Sequence, residues 1–113
     1  MITLYGIKNC DSVKKAITFF KKHNLQYTLY DFKEKAVGIH MVESWLEKTD
    51  LKTLFNARST TYRTLKLKEM DLDDAQKVQY LAKENMLIKR PVVTFEEHLL
   101  VGFKEENFQK IFL

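Results

Sequence analysis

The chain holds one cysteine, Cys10, within the stretch Lys8-Asn9-Cys10-Asp11-Ser12. A lone thiol closes no internal disulfide, so its chemistry is that of a nucleophile whose mixed disulfide must be resolved by an external thiol. Downstream stand cations that such chemistry could use. Arg58 and Arg63 lie five positions apart in NARSTTYR (Asn56 to Arg63), and Arg90 precedes the only proline, Pro91. A guanidinium grips a carboxylate or oxyanion through paired hydrogen bonds, so arginines converging on the thiol would hold an anionic substrate and favour the thiolate. The competing reading is solvated surface charge, and for Arg63 a weak pair with Glu69 or Asp71. His23, His40 and His98 lack ligand-like spacing and are read as surface or packing residues, so no metal site is expected.

The elements around Cys10 decide whether it is activated. Ile2 to Tyr5 is a short β-type run ended by Gly6. Asp11 and Ser12 suit a helix N-cap, and Val13, Ala16, Ile17 and Phe20 then follow at helical spacing with lysines on the other face. The thiol therefore stands between a strand and a helix, where unpaired N–H groups and the positive helix pole favour a negative charge. Lys8, Lys14 and Lys15 add to that field. The alternative is a small buried residue without reactivity.

Gln26 to Phe32 alternates as a second strand, giving a βαβ unit with parallel strands and a right-handed crossover. From there the pattern changes to helical. Ile39 to Glu47, Leu51 to Phe55 and Ala75 to Ala82 carry apolar residues at helical period, whereas NARSTTYR reads as a poor helix. Leu87 to Phe95 and His98 to Phe103 resume strand character as a hairpin, and Glu105 to Phe112 reads as a last helix. This order predicts an α/β thioredoxin-like fold, one domain over residues 1–113, with an all-helical insertion at about 38–86 between the βαβ unit and the C-terminal hairpin and helix. Tyr5, Phe20, Trp45 and Phe55 are assigned to the core.

Composition narrows the function classes. With 113 residues, 45% hydrophobic, the chain can fill a core, which excludes disorder. The net charge of +4 is spread along the chain with no basic block, so direct nucleic-acid binding is not expected, while small anions and acidic protein surfaces suit it. No apolar run reaches the roughly 18–20 residues of a membrane span, and a cytoplasmic protein is expected.

YGIKNCDSVKKA (Tyr5 to Ala16), NARSTTYR, IKRPVV (Ile88 to Val93) and LLVGF (Leu99 to Phe103) together resemble the arsenate-reductase-related ArsC family, in particular its small YffB-like branch, and more distantly the Spx-like regulators. The resemblance implies that Cys10 is the nucleophile, that Arg58 and Arg90 are oxyanion arginines and that Pro91 is the family's cis-proline. Lys8, Asn9 and Arg63 are added, from their places in the sequence, as candidates for binding an oxyanion or glutathione. Three departures stand out. A histidine of arsenate reductases aligns with Gly6, a helix serine aligns with Val13, and no arginine stands at Val101 or Gly102, where a third oxyanion arginine falls. Val13 also occupies the position of the second cysteine in the Spx redox switch. Because a lone thiol needs an external thiol to resolve it, the expected activity is a monothiol reductase with no bound cofactor and with glutathione as co-substrate, acting on a glutathionylated or disulfide substrate. The alternatives are a glutaredoxin-coupled arsenate reductase and a non-enzymatic regulator that binds RNA polymerase.

Overall fold

The computed structural model describes residues 1–113. In chain order the elements are β1 (Ile2–Gly6), α1 (Asp11–Lys22), β2 (Tyr27–Asp31), α2 (Ile39–Leu46), α3 (Leu51–Leu54) and α4 (Thr60–Thr64). They continue with α5 (Leu67–Met70), α6 (Asp74–Lys83), a 3-10 turn (Asn85–Leu87), β3 (Val92–Phe95), β4 (His98–Val101) and α7 (Glu105–Phe112). These gather into two compact units, Met1–Lys35 with Arg90–Leu113, and Ala36–Lys89. No helix is long and apolar enough to cross a membrane.

The first unit is a four-stranded mixed sheet in the order β2-β1-β3-β4, with β1 parallel to β2 and antiparallel to β3. Strand alternation puts Ile2 and Leu4 of β1 and Val93 of β3 on one face, where they pack with Val13, Ala16, Phe19 and Phe20 of α1 and Phe108 of α7. Phe20 and Phe108 are fully buried with their rings 5.7 Å apart. Each such ring contributes roughly 1.5–3 kcal/mol by leaving water. That packing fixes α1, and with it the loop that carries Cys10.

The end of α1 is equally determined. Asn24 adopts the left-handed conformation (φ 56°), and the N–H groups of Asn24 and Leu25 donate to the carbonyls of Lys21 and Phe20. This is a Schellman turn, which satisfies the last helical carbonyls and sends the chain toward β2. Two boundaries differ from the sequence reading. The N-cap is Cys10 rather than Asp11 or Ser12, and β3 starts only at Val92, because Asn85–Leu87 forms a 3-10 turn and Pro91 offers no N–H to a ladder.

The second unit is the helical insertion. Its two ends are tied by Asn85, whose buried side chain accepts from the Val37 N–H (2.9 Å) and donates to the carbonyls of Val37 (3.1 Å) and Leu81 (2.9 Å). A second tie joins Phe55 to Ile88 by an isolated antiparallel bridge, with the Lys89 N–H donating to Leu54. Local caps start its helices: Asp50 accepts from the Thr53 N–H, and Asp73 forms a reciprocal capping box with Gln76. NARSTTYR also corrects the sequence reading, since Ser59 caps the short helix α4 inside it by accepting from the Tyr62 N–H.

Candidate active site

β1 delivers the chain to Gly6 and buried Ile7, and the exposed bend Lys8-Asn9 then leads to Cys10. Cys10 is extended (φ −145°, ψ 124°), and its carbonyl accepts the Lys14 N–H at 2.9 Å as the first helical bond. Its thiol forms no capping hydrogen bond. The N–H groups of the first turn therefore lack a side-chain acceptor from the N-cap, and the positive pole of α1 lies at the residue that carries the sulfur. Cys10 is half-buried against the core, with part of its surface open to solvent.

The antiparallel register sets Val92 opposite Tyr5, which brings Arg90 and Pro91 to the same end of the sheet as the Cys10 loop. The Arg90–Pro91 peptide is cis, and the Pro91 carbonyl accepts the Gly102 N–H at 2.8 Å. Gly102 is buried with φ 77°, a conformation that disfavours any side chain, so the sequence position near the missing third arginine suits glycine. Gly6 is constrained differently. A Cβ there would meet Val13 Cγ2 at 2.7 Å and lie 3.9 Å from the Arg90 Cβ. The end of β1, the first turn of α1 and Arg90 thus share one corner, and that corner has no space for a side chain at position 6.

Beside it, burial pushes the Tyr5 phenol above its ordinary value; a hydrogen bond from Thr94 acts against this shift and the neighbouring Tyr30 adds to it. The two tyrosine rings lie 5.0 Å apart.

Arg58 and Arg63 belong to the insertion, and local bonds that the sequence reading passed over organise them. Asn56 Oδ1 accepts the Arg58 N–H at 3.0 Å, and the Ser59 cap starts the helix that carries Arg63. Arg63 Nη1 donates to the Arg58 carbonyl at 3.1 Å and Nη2 to Thr60 Oγ1 at 3.4 Å. The pairing considered for Arg63 with Glu69 or Asp71 is replaced by these bonds. Both arginines line a concavity of about 600 Å³ together with Tyr62, Lys66, Lys68 and Glu69. The signal in the sequence was Asn56 three residues before Ser59, an Asx turn running into an N-cap.

Residues 5–111 match the ArsC family. The chain belongs to that family. A Haemophilus influenzae protein described as uncharacterized is 36% identical over 99% of both chains. The solved structure of the YFFB protein superposes with a TM-score of 0.90 at 32% identity, covering 97% of each chain. An arsenate reductase (ArsC) related protein from Brucella melitensis has a TM-score of 0.75 at 31% identity, covering 98% of this chain and 93% of that one. Among more distant relatives, the global transcriptional regulator Spx 2 of Lactococcus lactis is 25% identical over 96% of this chain and 84% of its own. The mixed sheet with a helical insertion is the thioredoxin-like architecture of the ArsC family.

Proposed function

We propose that this ArsC-family protein is a glutathione-dependent thiol reductase with Cys10 as its single nucleophile. The observation that carries the reading is the placement of the only cysteine at the N-cap of α1 with its thiol outside any capping bond. The residue is partly exposed and stands at the positive pole of the helix. In the first step the Cys10 thiolate attacks the glutathionyl sulfur of a mixed disulfide; the S–S bond breaks, a Cys10–glutathione disulfide forms and the substrate leaves as a thiolate. In the second step glutathione thiolate attacks that disulfide, releasing oxidised glutathione and the Cys10 thiolate. One substrate disulfide is reduced and two glutathionyl groups leave as one disulfide, so the balance closes without another redox group.

In this reading Lys8, Asn9, Arg90 and the main chain at Pro91 bind the glutathionyl group beside the sulfur, and Arg58 and Arg63 bind carboxylate or oxyanion groups. Turnover of a glutathionylated small thiol, coupled to NADPH consumption through glutathione disulfide reductase, tests it. Activity that depends on glutathione and is lost in Cys10→Ser supports the reading, and a trace equal to the uncatalysed rate refutes it.

A second reading, arsenate reduction, is favoured by the likeness to the Brucella melitensis relative named for that enzyme. Arsenate-dependent NADPH consumption with an added glutaredoxin distinguishes it. The crowded corner at Gly6 and the glycine conformation at position 102 weigh against it.

A further inference from the structure

Beginning one turn after Cys10, the exposed residues Lys14, Lys15, Thr18 and Lys22 of α1 line a groove of about 510 Å³. Phe19 and Phe103 supply its apolar part, their rings 6.3 Å apart in an edge-on arrangement. His23 also lines it, its ring tilted by 53° against Phe19 with the centroids 4.5 Å apart. The one carboxylate in the lining, Glu105, accepts a hydrogen bond from Gln109 at 3.3 Å, and none of the three lysines is held in an ion pair. The groove is therefore cationic along its length and apolar at its base.

Its dimensions follow from the helix. At the α-helical rise, Lys14 lies about 6 Å and Lys22 about 18 Å beyond Cys10 along the axis, with Lys15 and Lys22 separated by about 10 Å. A single small anion would engage only part of that span and would leave the aromatic base uncovered. The distributed charge and the intervening apolar strip match a chain that carries separated carboxylates.

We infer that this groove docks an acidic segment of the protein substrate whose disulfide Cys10 attacks, with an apolar side chain of that segment seated on Phe103, which packs against the buried Phe19. The inference rests on the reductase reading for the role of Cys10, and it adds the substrate class: proteins whose reactive cysteine lies near acidic residues flanking an apolar one. Docking raises the concentration of the disulfide at Cys10, so it acts on KM and leaves the exchange step unchanged.

The test uses the full-length protein and two cysteine-free, fluorescein-labelled peptides, one with pairs of glutamate around a phenylalanine and one with lysine in place of each glutamate. Fluorescence anisotropy should show binding of the acidic peptide that weakens with added salt. The double variant T18E/K22E, whose substitutions lie away from Cys10, should weaken it at least tenfold and bind the lysine peptide more tightly than the native protein does. Lys22→Gln, which keeps a good helix former, should give a several-fold loss if the double variant folds poorly. Equal binding of both peptides, or acidic-peptide affinity unchanged in both variants, overturns the inference.

Kinetics separates this inference from the reading beneath it. With a glutathionylated cysteine added to each peptide, the acidic one should show the lower KM in the native protein, while turnover of a glutathionylated small thiol stays equal in native and T18E/K22E proteins. Turnover of both peptides without charge preference overturns the docking groove and leaves the reductase intact. Charge-selective binding without any turnover overturns the reductase and supports the groove.

Discussion

A Cβ on Gly6 would lie 2.7 Å from Cγ2 of Val13, so the last residue of β1 and the first turn of α1 meet with only backbone on one side. Val13 is fully buried and its branched side chain has little rotamer freedom in a helix, so it cannot swing away. The family resemblance aligns a histidine with Gly6 and a serine with Val13, and the structure makes these two departures one: valine fills the space that a side chain at position 6 would need. Cys10 consequently has no histidine neighbour from β1.

This contact predicts that Gly6→Ala destabilises the protein by about 1–3 kcal/mol, the usual range for overpacking a filled site. Gly6→Ala with Val13→Ala should cost less than the sum of the single changes, because removing the Cγ2 methyl clears the added Cβ. Urea unfolding of the four proteins measures the coupling; additive losses would show that the two residues do not compete for the same space.

The Asn85 network predicts a large effect from a conservative change. Asn85→Ala leaves the Val37 N–H and the Val37 and Leu81 carbonyls without their side-chain partner in a buried setting, which should cost about 2–3 kcal/mol. Asn85→Asp retains the acceptor but loses the bonds that Nδ2 donates to the Val37, Leu81 and Ala82 carbonyls, so it should also destabilise. Denaturation midpoints check both.

Two groups add to the pH dependence of stability. Tyr5 has its folded pKa raised, chiefly by burial, so its contribution is complete below about pH 10, the ordinary tyrosine value, and is lost as pH rises through the folded value. Asp50 is held below the ordinary carboxylate range by hydrogen bonds from the Thr53 hydroxyl and then the Thr53 N–H. Its contribution is present above about pH 4 and is lost as pH falls through the folded value. Tyr5→Phe should reduce the alkaline loss of stability and Asp50→Asn, at an exposed site, should reduce the acid loss slightly, both read from melting temperature against pH.

For the reductase reading, Arg90→Ala should raise KM for glutathione about tenfold or more, the loss of one charge-assisted hydrogen bond. Arg90→Lys should recover only part, because an ammonium lacks the planar fork. Steady-state kinetics with glutathione varied gives the answer, and an unchanged KM in Arg90→Ala would remove this arginine from the binding set.

The sequence carried the fold because its elements are locally determined. The apolar spacing of Val13, Ala16 and Phe20 marked α1, and the period change after Phe32 marked the insertion; α7 is found at Glu105–Phe112, as its pattern indicates. NARSTTYR was misread because helix propensity is weak there, while the Ser59 cap and the ring contact of Tyr62 with Phe55 at 5.9 Å hold α4 in place. Cys10 could be singled out by composition alone. The groove along α1 could not, since its lysines look like an ordinary solvated face until Phe103, brought from the far end of the chain, completes the apolar base.

In the proposed cycle Cys10 is a nucleophile whose mixed disulfide is resolved by free glutathione. Intact-protein mass spectrometry after exposure to oxidised glutathione is the decisive measurement. One glutathionyl adduct per chain is expected, mapped to Cys10, absent in Cys10→Ser and removed on adding reduced glutathione. A chain that takes up no glutathionyl group, or one whose adduct reduced glutathione does not release, is not a glutathione-resolved monothiol reductase.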